Sequence, residues 1–382
     1  ATRKVIGDIP TGWYPTQVLA HGRKLSITSA KGLGAGPNNG PNHPNPTDPR
    51  DTAENQYSGS MIKGLLSTVS EPDAATLAKL TATVEKNNTA NDPARSSAVP
   101  NQIGTTSSKI KHVIYIVREN RTFDQELGSN GRGNADPSLN LFGEESAPNT
   151  RALARQFTTF DNFYADAEVS ANGWNWVSQA NSNPWSEEMW PSNYSGRGAP
   201  YPAESNDPDS RAKEHDSYFW EHLSKNNISF RNYGFYTTLD KKGKAHGVDK
   251  KILDPNTDHD FIGWSLDCPD SARSFAPMAK NCGPKSRVDE WKSDFNKQLA
   301  KGSVPTVQLV RFGNDHTQAT KVGVPTPQAY VADNDQAIGQ LVETVSHSPI
   351  WKDTAIFLTE DDAQNGPDHV DAHRTIGEVI SP

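Results

Sequence analysis

The sequence has few hydrophobic residues and no long apolar run. Hydrophobic residues make up 34% of the 382 residues, which is low for a globular protein. No stretch of about 18 consecutive apolar residues occurs, so we expect no membrane-spanning helix. The chain has 28 glycines and 27 prolines, which predicts long loops around a modest core.

Positive charge and cysteine are also scarce. The net charge of -8 argues against a nucleic-acid partner, because general nucleic-acid binders are usually basic. The two cysteines, Cys268 and Cys282, lack the CxxC spacing of zinc sites. They form either a disulfide, which an exported protein permits, or two free thiols. We expect a periplasmic or secreted protein. The sequence indicates no oligomeric state.

Composition divides the chain into three regions. Residues 1–35 are expected to form a strand-turn-strand piece, and residues 36–104 a Gly-, Pro- and Asn-rich linker with one helix. Residues 105–382 are expected to form one α/β domain whose C-terminus is truncated within a strand. The chain starts at Ala1 without a signal-peptide pattern, so a processed N-terminus is expected. The elements predicted in the first two regions are strands at 4–9 and 24–28 and a helix at 73–85.

Strand-like and helical stretches alternate in the third region. The run IKHVIYIV at 110–117 is typical of a central parallel strand that is covered on both faces. Apolar residues at helical spacing predict a helix at 327–347. This alternation predicts a mostly parallel sheet. Further strands are predicted at 157–165, 229–233, 306–311, 355–359 and 374–380, and a further helix at 216–226.

Acidic residues and histidines follow three of these strands. Because ligands bind beyond the carboxyl ends of parallel strands, we expect these side chains to gather at one edge of the sheet. Clustered carboxylates repel one another unless a cation lies among them. Mixed Asp and His ligands favour zinc, manganese or iron, and two such ions would serve phosphoryl transfer. Alternatively, the acidic loops are simply solvated and the two late histidines form a surface pair. The residues are Glu119, Asp315, His316, Asp361, Asp362, His369 and His373.

The stretch IVRENRTFDQELG at 116–128 resembles the opening signature of a phosphoesterase family. That family includes phosphatidylcholine-hydrolysing phospholipase C of the non-haemolytic type and a related acid phosphatase. The N-terminal phrase VIGDIPTGWYP resembles a blade of YVTN-type β-propellers, which are fused to the phosphoesterase domain in one branch of the family. The resemblance continues at FTTFDNFYADAEVSANGWNW (157–176), NDHTQAT (314–320), PTPQAYVADNDQAIGQLVE (325–343) and TEDDAQNGPDHVDAHRT (359–375).

The resemblance implies an alkaline-phosphatase-like α/β fold, with a mostly parallel sheet sandwiched by helices and a small β-propeller-blade fragment at the N-terminus. The implied activity is metal-dependent hydrolysis of phosphate mono- or diesters. The implied cofactors are two divalent metal ions, with zinc favoured over manganese or calcium. The alternative is a non-catalytic surface binding module that holds a structural cation. A sulfatase is disfavoured because the Cys/Ser-x-Pro-x-Arg motif of that class does not occur.

The resemblance also implies roles for individual residues. Ser170 matches the nucleophile, which needs a metal or a base to become reactive. A turn or a helix cap is the alternative role for this serine, and Thr158 or Thr159 would then be the nucleophile. Asn172 and His316 are expected to be catalytic, as donors to the phosphate. The expected metal ligands are Glu119, Asn120, Ser170, Asp315, Asp361, Asp362, His369 and His373.

One departure from the family concerns the segment after this serine. Close relatives tend to have Asp-Gly-His where this chain has Asn172, Gly173 and Trp174. Loss of the histidine is expected to change the phosphate contacts or the protonation of the leaving group.

Overall fold

The computed structural model describes residues 4–39, 58–88, 107, 109–204, 218–271, 282–363 and 366–382. The chain forms two compact units, one of Ala1–Gly36 with Ser60–Ser107 and one of Pro37–Gly59 with Ser108–Pro382. A single helical turn, α1 (Ser58–Met61), includes residues of both. None of the helices in the described ranges combines the length and the apolar character that crossing a membrane requires. The domain boundaries expected from composition stay predictions.

The first unit is a three-stranded antiparallel sheet with one helix. The strand predicted at 24–28 and the helix predicted at 73–85 are confirmed, with longer bounds. The strand predicted at 4–9 is wrong: the Asp8 amide donates to Thr81 Oγ1 (2.8 Å) in the helix rather than to a neighbouring strand. The propeller origin of this unit stays a prediction. Its elements are β1 (Trp13–His21), β2 (Lys24–Gly32), β3 (Leu65–Ser70) and α2 (Ala74–Asn88).

The second unit is built on a six-stranded sheet in the order β5-β11-β10-β4-β9-β6. Strands β10, β4, β9 and β6 are parallel, whereas β11 is antiparallel to both β10 and β5. The predicted α/β fold with a mostly parallel sheet is therefore confirmed. The strands are β4 (His112–Arg118), β5 (Thr158–Tyr164), β6 (Phe230–Tyr233), β9 (Val307–Arg311), β10 (Thr354–Glu360) and β11 (Arg374–Ile380), with a separate hairpin of β7 (Thr237–Leu239) and β8 (Ala245–Gly247).

Helices cover both faces of this sheet. In β4, Ile114 and Ile116 pack in a core cluster that includes residues of the helices α8 (Arg287–Lys301) and α9 (Pro327–Ser346). Val117 points the other way and packs in a second cluster, with Trp174 of α5 (Ser170–Gln179) and residues of α7 (Phe219–Lys225). A strand covered on both faces is apolar along its length, as the sequence predicted. The other helices are α3 (Phe123–Leu127), α4 (Pro148–Gln156) and α6 (Pro184–Tyr194).

The predicted helices at 216–226 and 327–347 correspond to α7 and α9, although residues 216 and 217 lie outside the described ranges. Sequence patterns predicted neither α5, α6 nor α8. The failure to predict α5 matters because this helix carries the predicted nucleophile, Ser170, at its first position.

Cys268 and Cys282 form a disulfide bond. Of the two possibilities left open by the sequence, a disulfide or two free thiols, the disulfide is therefore confirmed. The Cys268 carbonyl accepts hydrogen bonds from Arg287 Nη1 (2.9 Å) and Asn314 Nδ2 (3.0 Å). Arg287 also pairs with the buried carboxylate of Asp270 at 2.7 Å. This network anchors the 3₁₀ turn that follows β9.

Glu378 in β11 gives the stability of the protein a pH dependence. Its side chain is buried, and neither carboxylate oxygen has a hydrogen-bond partner in the described part of the chain. Burial raises the pKa of Glu378 to about 8 from an ordinary value of 4.5. The folded protein therefore holds a proton that the unfolded chain releases over this range. The contribution to the free energy of unfolding is full below about pH 4.5 and is lost as the pH rises through about 8.

Replacing Glu378 by Gln is expected to flatten this dependence, because the amide carries no charge to bury. At pH 9 the variant should have a free energy of unfolding about 3–5 kcal/mol higher than the wild type. Urea unfolding between pH 5 and pH 9 measures the difference. Glu343→Gln, on an exposed side chain of α9, is the control and should keep the wild-type dependence. Identical pH profiles for Glu378→Gln and wild type would contradict the assignment.

Candidate active site

The carboxyl ends of β4 and β10 bring acidic residues together. The two strands pair in parallel with Glu360 opposite Arg118. The Asp361 amide then donates to the Arg118 carbonyl at 3.1 Å. Glu119 and Asp361 therefore leave the sheet as neighbours, as the strand-end argument predicted.

Ser170 is the first residue of α5. Its hydroxyl donates to Asp362 Oδ2 at 2.8 Å, and Asn120 Nδ2 lies 3.4 Å from the same hydroxyl oxygen. The serine therefore begins a helix, but its side chain is directed to the acidic pair and does not cap the helix. The alternative nucleophiles lie elsewhere: Thr158 begins β5, and the Thr159 hydroxyl donates to a backbone carbonyl of α4.

Asp361 is a buried acid that lies near Ser170 and Arg311. Its side chain is 1% exposed, and neither carboxylate oxygen is hydrogen-bonded within the described residues. Burial raises the pKa of Asp361 well above its ordinary range, and the nearby acids Asp362 and Glu119 raise it further, whereas Arg311 and Ser170 both lower it. Such a carboxylate is costly unless a cation compensates it. The oxygen donors near one another here, which fit a divalent cation, belong to Ser170, Asp361 and Asp362. Asn120 directs its amide nitrogen to Ser170.

The negative charge of Glu119, by contrast, is balanced by the guanidinium of Arg311. Arg311, the last residue of β9, pairs with Glu119 and also with Glu204 at 2.5 Å. The Arg311 guanidinium lies over the rings of Trp174 (4.1 Å) and Trp264 (4.8 Å), at cation–π distance. Trp174 Nε1 also donates to Glu119 at 2.9 Å. Burial raises the pKa of Glu119, whereas Arg311 lowers it.

Sequence reasoning missed Arg311 as a site residue. The signal was present, since a charged residue ends a mostly apolar strand whose five residues are all buried. The contacts of Trp174 with Arg311 and Glu119 give this tryptophan a role at the position where the family resemblance led us to expect histidine. Its indole supports both members of the Glu119–Arg311 pair.

The predicted phosphate-donor role of Asn172 needs correcting. Its Nδ2 donates to Glu168 (2.8 Å) and Glu187 (3.1 Å), and its Oδ1 accepts from the Val169 amide (3.3 Å). The side-chain amide is therefore fully used between two buried carboxylates. An aspartate at this position would add a third negative charge, which accounts for asparagine in this chain.

His373 reaches the same group of carboxylates. Its Nε2 lies 3.5 Å from Glu168, and its Nδ1 lies 2.9 Å from Asp371. Although burial lowers it, these two acids raise the pKa of His373 to about 9. In the metal-free protein, the imidazole therefore balances the charge of these acids. The ligand role of His373 stays a prediction.

Asp315 lies in a buried ionic network beneath the site. Its carboxylate and those of Glu126 and Glu360 surround Arg118, whose nitrogens lie 3.6, 2.6 and 2.7 Å from them. Burial raises the pKa of Asp315 well above its ordinary range, and Glu360 adds to the shift. Because Arg118 already occupies the centre of this group, the geometry does not support Asp315 as a ligand of the cation at Asp361.

The contacts of His316 and His369 within the described residues are with groups other than Ser170. His316 Nδ1 lies 2.8 Å from the Thr317 carbonyl, and its ring packs edge-on against Trp264. Burial lowers the pKa of His316. His369 Nδ1 lies 2.6 Å from Asp124, whose carboxylate also pairs with Arg374. Their catalytic and ligand roles stay predictions, and His369 lies with Asp124 and Asp368 in a group whose ligand atoms are within 4.8 Å of one another.

The sequence pattern of the Phosphoesterase family matches residues 129–377, well over half of the chain. The chain belongs to the phosphoesterase family. The expectation of a hydrolase acting on ester bonds is thereby confirmed at the level of the family. No curated protein matches the sequence.

Solved structures similar to this phosphoesterase include a protein of the alkaline phosphatase superfamily from Vibrio parahaemolyticus. The two share 17% identity with a TM-score of 0.44, over 72% of this chain and 60% of that one. The lipoteichoic acid synthase LtaP of Listeria monocytogenes shares 13% identity, with a TM-score of 0.41 over 75% of this chain and 69% of that one. The PsFucS1 sulfatase from Pseudoalteromonas sp. shares 13% identity, with a TM-score of 0.44 over 72% and 62%. The chain spans less than two thirds of the Vibrio protein.

Gly173 sets the distance between α5 and the acidic pair of this phosphoesterase. A Cβ at this position would lie 2.5 Å from the carbonyl oxygen of Asp361. Gly173→Ala should push Ser170 away from Asp362, lowering turnover of a phosphate ester about 100-fold and the free energy of unfolding by roughly 1–3 kcal/mol. Gly64→Ala is the control, because a Cβ there meets its nearest atom only at 3.8 Å. Wild-type turnover in Gly173→Ala would contradict this role.

Proposed function

We propose that the chain is a metal-dependent phosphoesterase that hydrolyses phosphate mono- or diesters with Ser170 as its nucleophile. One observation carries the proposal: the Ser170 hydroxyl donates to Asp362 at 2.8 Å, beside the buried carboxylate of Asp361 that has no hydrogen-bond partner among the described residues. A serine so placed has a base within hydrogen-bond distance and donors for a cation next to it.

The donor set supports one ion that prefers oxygen ligands, such as calcium, magnesium or manganese. Carboxylate and hydroxyl oxygens meet at Ser170, and the Asn120 amide nitrogen lies 3.4 Å from the same hydroxyl, whereas the late histidines contact other acids. The proposal is therefore one such cation held by Ser170, Asp361 and Asp362, with Asn120 as a donor to the phosphate. When bound, this ion would lower the pKa of the serine hydroxyl and neutralise charge on the phosphate.

In the proposed mechanism, hydrolysis proceeds by two displacements at phosphorus in which each of these side chains has a separate role. Ser170 Oγ attacks phosphorus while its proton passes to Asp362, the bond from phosphorus to the leaving oxygen breaks, and that oxygen takes the proton from Asp362. Water then attacks the phosphoserine and gives a proton to Asp362, the bond from phosphorus to Ser170 Oγ breaks, and Asp362 returns the proton to Ser170 as phosphate is released. The Asn120 amide, 3.4 Å from Ser170 Oγ, and the positive end of the α5 dipole favour the negative charge that develops on the phosphoryl group.

The same proposal places the protein in the periplasm or outside the cell. The disulfide between Cys268 and Cys282 supports this, because disulfides persist in oxidising compartments. The partner in this proposal is a phosphate-ester substrate, with no role for nucleic acid.

Chelation tests the proposal. We expect turnover of 4-nitrophenyl phosphate or bis(4-nitrophenyl) phosphate to fall at least about 100-fold after dialysis against a chelator, since a catalytic cation contributes several kcal/mol. Adding back calcium, magnesium, manganese or zinc separately identifies the ion, and dialysis without chelator is the control. A non-catalytic binding module would turn over neither substrate. Turnover that survives chelation unchanged would contradict the metal-dependent mechanism.

A further inference from the structure

A second set of metal-ligating side chains lies on the surface of the second unit, apart from the residues around Ser170. His246 of β8, Asp254 and His259 belong to one continuous segment of the chain, and one ligand atom of each lies within 4.8 Å of the others. Their side chains are 30%, 20% and 45% exposed. An ion from solution can therefore reach them.

The distances within this set are those of a metal site. Asp254 Oδ1 lies 3.3 Å from His246 Nδ1 and 3.5 Å from His259 Nε2. Zinc binds such ligands at about 2.0–2.1 Å in a tetrahedron, which places neighbouring ligand atoms about 3.3 Å apart. The carboxylate oxygen thus already stands at the separation from both imidazoles that a shared ion would impose.

Neighbouring groups also orient the ligands. Asp240 Oδ2 lies 3.6 Å from His246 Nε2, the ring nitrogen that is not next to Asp254. The Gly247 amide donates to Asp254 Oδ1 at 2.8 Å and holds that carboxylate in place. Metal-binding histidines commonly direct their second nitrogen to a carboxylate, which selects the tautomer.

A purely hydrogen-bonded surface pair explains this arrangement less well. Both imidazoles face one carboxylate oxygen that already accepts from a backbone amide, and His259 Nε2 also lies 3.3 Å from the Asp254 carbonyl. Their ring centroids lie 4.5 Å apart, so protonation of both rings would place like charges side by side. Lys250, 3.8 Å from Asp254 and 62% exposed, is a surface partner of little weight. One divalent ion satisfies both imidazoles in their neutral form.

We propose that His246, Asp254 and His259 bind one zinc-like transition-metal ion, with Asp240 as the positioning residue for His246. Two nitrogens and one oxygen suit zinc, nickel or copper better than calcium or magnesium, so this site takes a different class of ion from the oxygen donors at Ser170. The ion would tie β8 to the stretch that leads to Trp264, whose ring lies 4.8 Å from the Arg311 guanidinium.

Zinc and cobalt binding to the full chain tests this proposal without any activity readout. Equilibrium dialysis should show one equivalent of zinc that His246→Ala and His259→Ala lose. Cobalt should give the visible absorption of a tetrahedral site in the wild type only. Asp240→Asn should weaken zinc binding about 10–100-fold, and saturating zinc should raise the Tm of the wild type but not of the histidine variants.

His347→Ala, which removes an exposed histidine of the last helix, is the matched control and should bind zinc as the wild type does. Circular dichroism establishes that each variant is folded. Wild-type zinc affinity and stoichiometry in folded His246→Ala and His259→Ala would overturn the proposal. So would a wild-type chain that takes up no zinc at micromolar concentrations.

Discussion

Replacement of Ser170 by alanine is expected to reduce turnover of both nitrophenyl substrates on the order of 10⁴-fold or more, the scale of loss when a nucleophile is removed. The hydroxyl is the group that donates to Asp362 and lies beside Asn120, and in the proposed mechanism no other oxygen attacks phosphorus. Turnover is measured under saturating divalent ion. The loss should be in kcat, because the remaining donors still bind the phosphate.

Ser178→Ala is the matched control for this experiment. Ser178 is also a buried serine of α5, but its hydroxyl donates to the Trp174 carbonyl, so turnover should stay within a few-fold of wild type. Rapid quenching of the wild type with substrate should yield protein that is heavier by one phosphoryl group, carried on Ser170. Full turnover in Ser170→Ala, or a phosphorylated residue other than Ser170, would refute the assignment of the nucleophile.

Replacement of Asp361 by asparagine is expected to have two effects of opposite direction. Turnover should fall at least about 10³-fold because the variant loses a ligand of the catalytic cation. In the cation-free protein, however, the free energy of unfolding should rise by about 1–3 kcal/mol at neutral pH. The reason is that asparagine removes a buried charge next to Asp362 and Glu119, where the pKa of Asp361 is already raised by burial and by these two acids.

Asp335, a buried aspartate that accepts hydrogen bonds from the protein, provides the control for Asp361→Asn. The carboxylate of Asp335 accepts from the backbone amides of Asn149 (2.9 Å) and Thr150 (2.7 Å), so Asp335→Asn should destabilise the protein. Added divalent ion should raise the Tm of the wild type and of Asp335→Asn, but not that of Asp361→Asn. Destabilisation of the cation-free protein by Asp361→Asn would show that this carboxylate has a structural partner and is not kept for an ion.

The central strands of the second unit were predictable because most of their side chains pack in apolar clusters on the two faces of the sheet. In β4 this produced the continuous run at 110–117, and the observed strand lies within one or two residues of it. Local polarity also marked the ends of these strands. The apolar sequence runs did not predict that β11 is antiparallel to its neighbours in the sheet. Strand direction depends on the path of the connecting chain, which a local run does not record.

Helix α8 carried signals that were not used. Val288, Trp291 and Phe295 are spaced as on one helical face and are all buried. Ser286 caps the start of the helix, and Gly302 ends it with a left-handed backbone. The failure at 4–9 has a different origin: a β-branched run there packs beside a helix, where its amides find side-chain acceptors.

Within the candidate site, the sequence by itself determined which residues stand at the carboxyl ends of buried strands. Glu119, Asp361 and Asp362 were identified in this way, because strand ends are read from local polarity and the family phrase added Ser170. Only the tertiary structure decided which cation lies next to each acid. Arg118 pairs with Asp315 and Arg311 pairs with Glu119, whereas no ion pair to Asp361 forms within the described residues, where Arg311 acts on it only from a greater distance. Charge pairing acts through space over a few ångströms between residues far apart in the chain, so no local pattern records it.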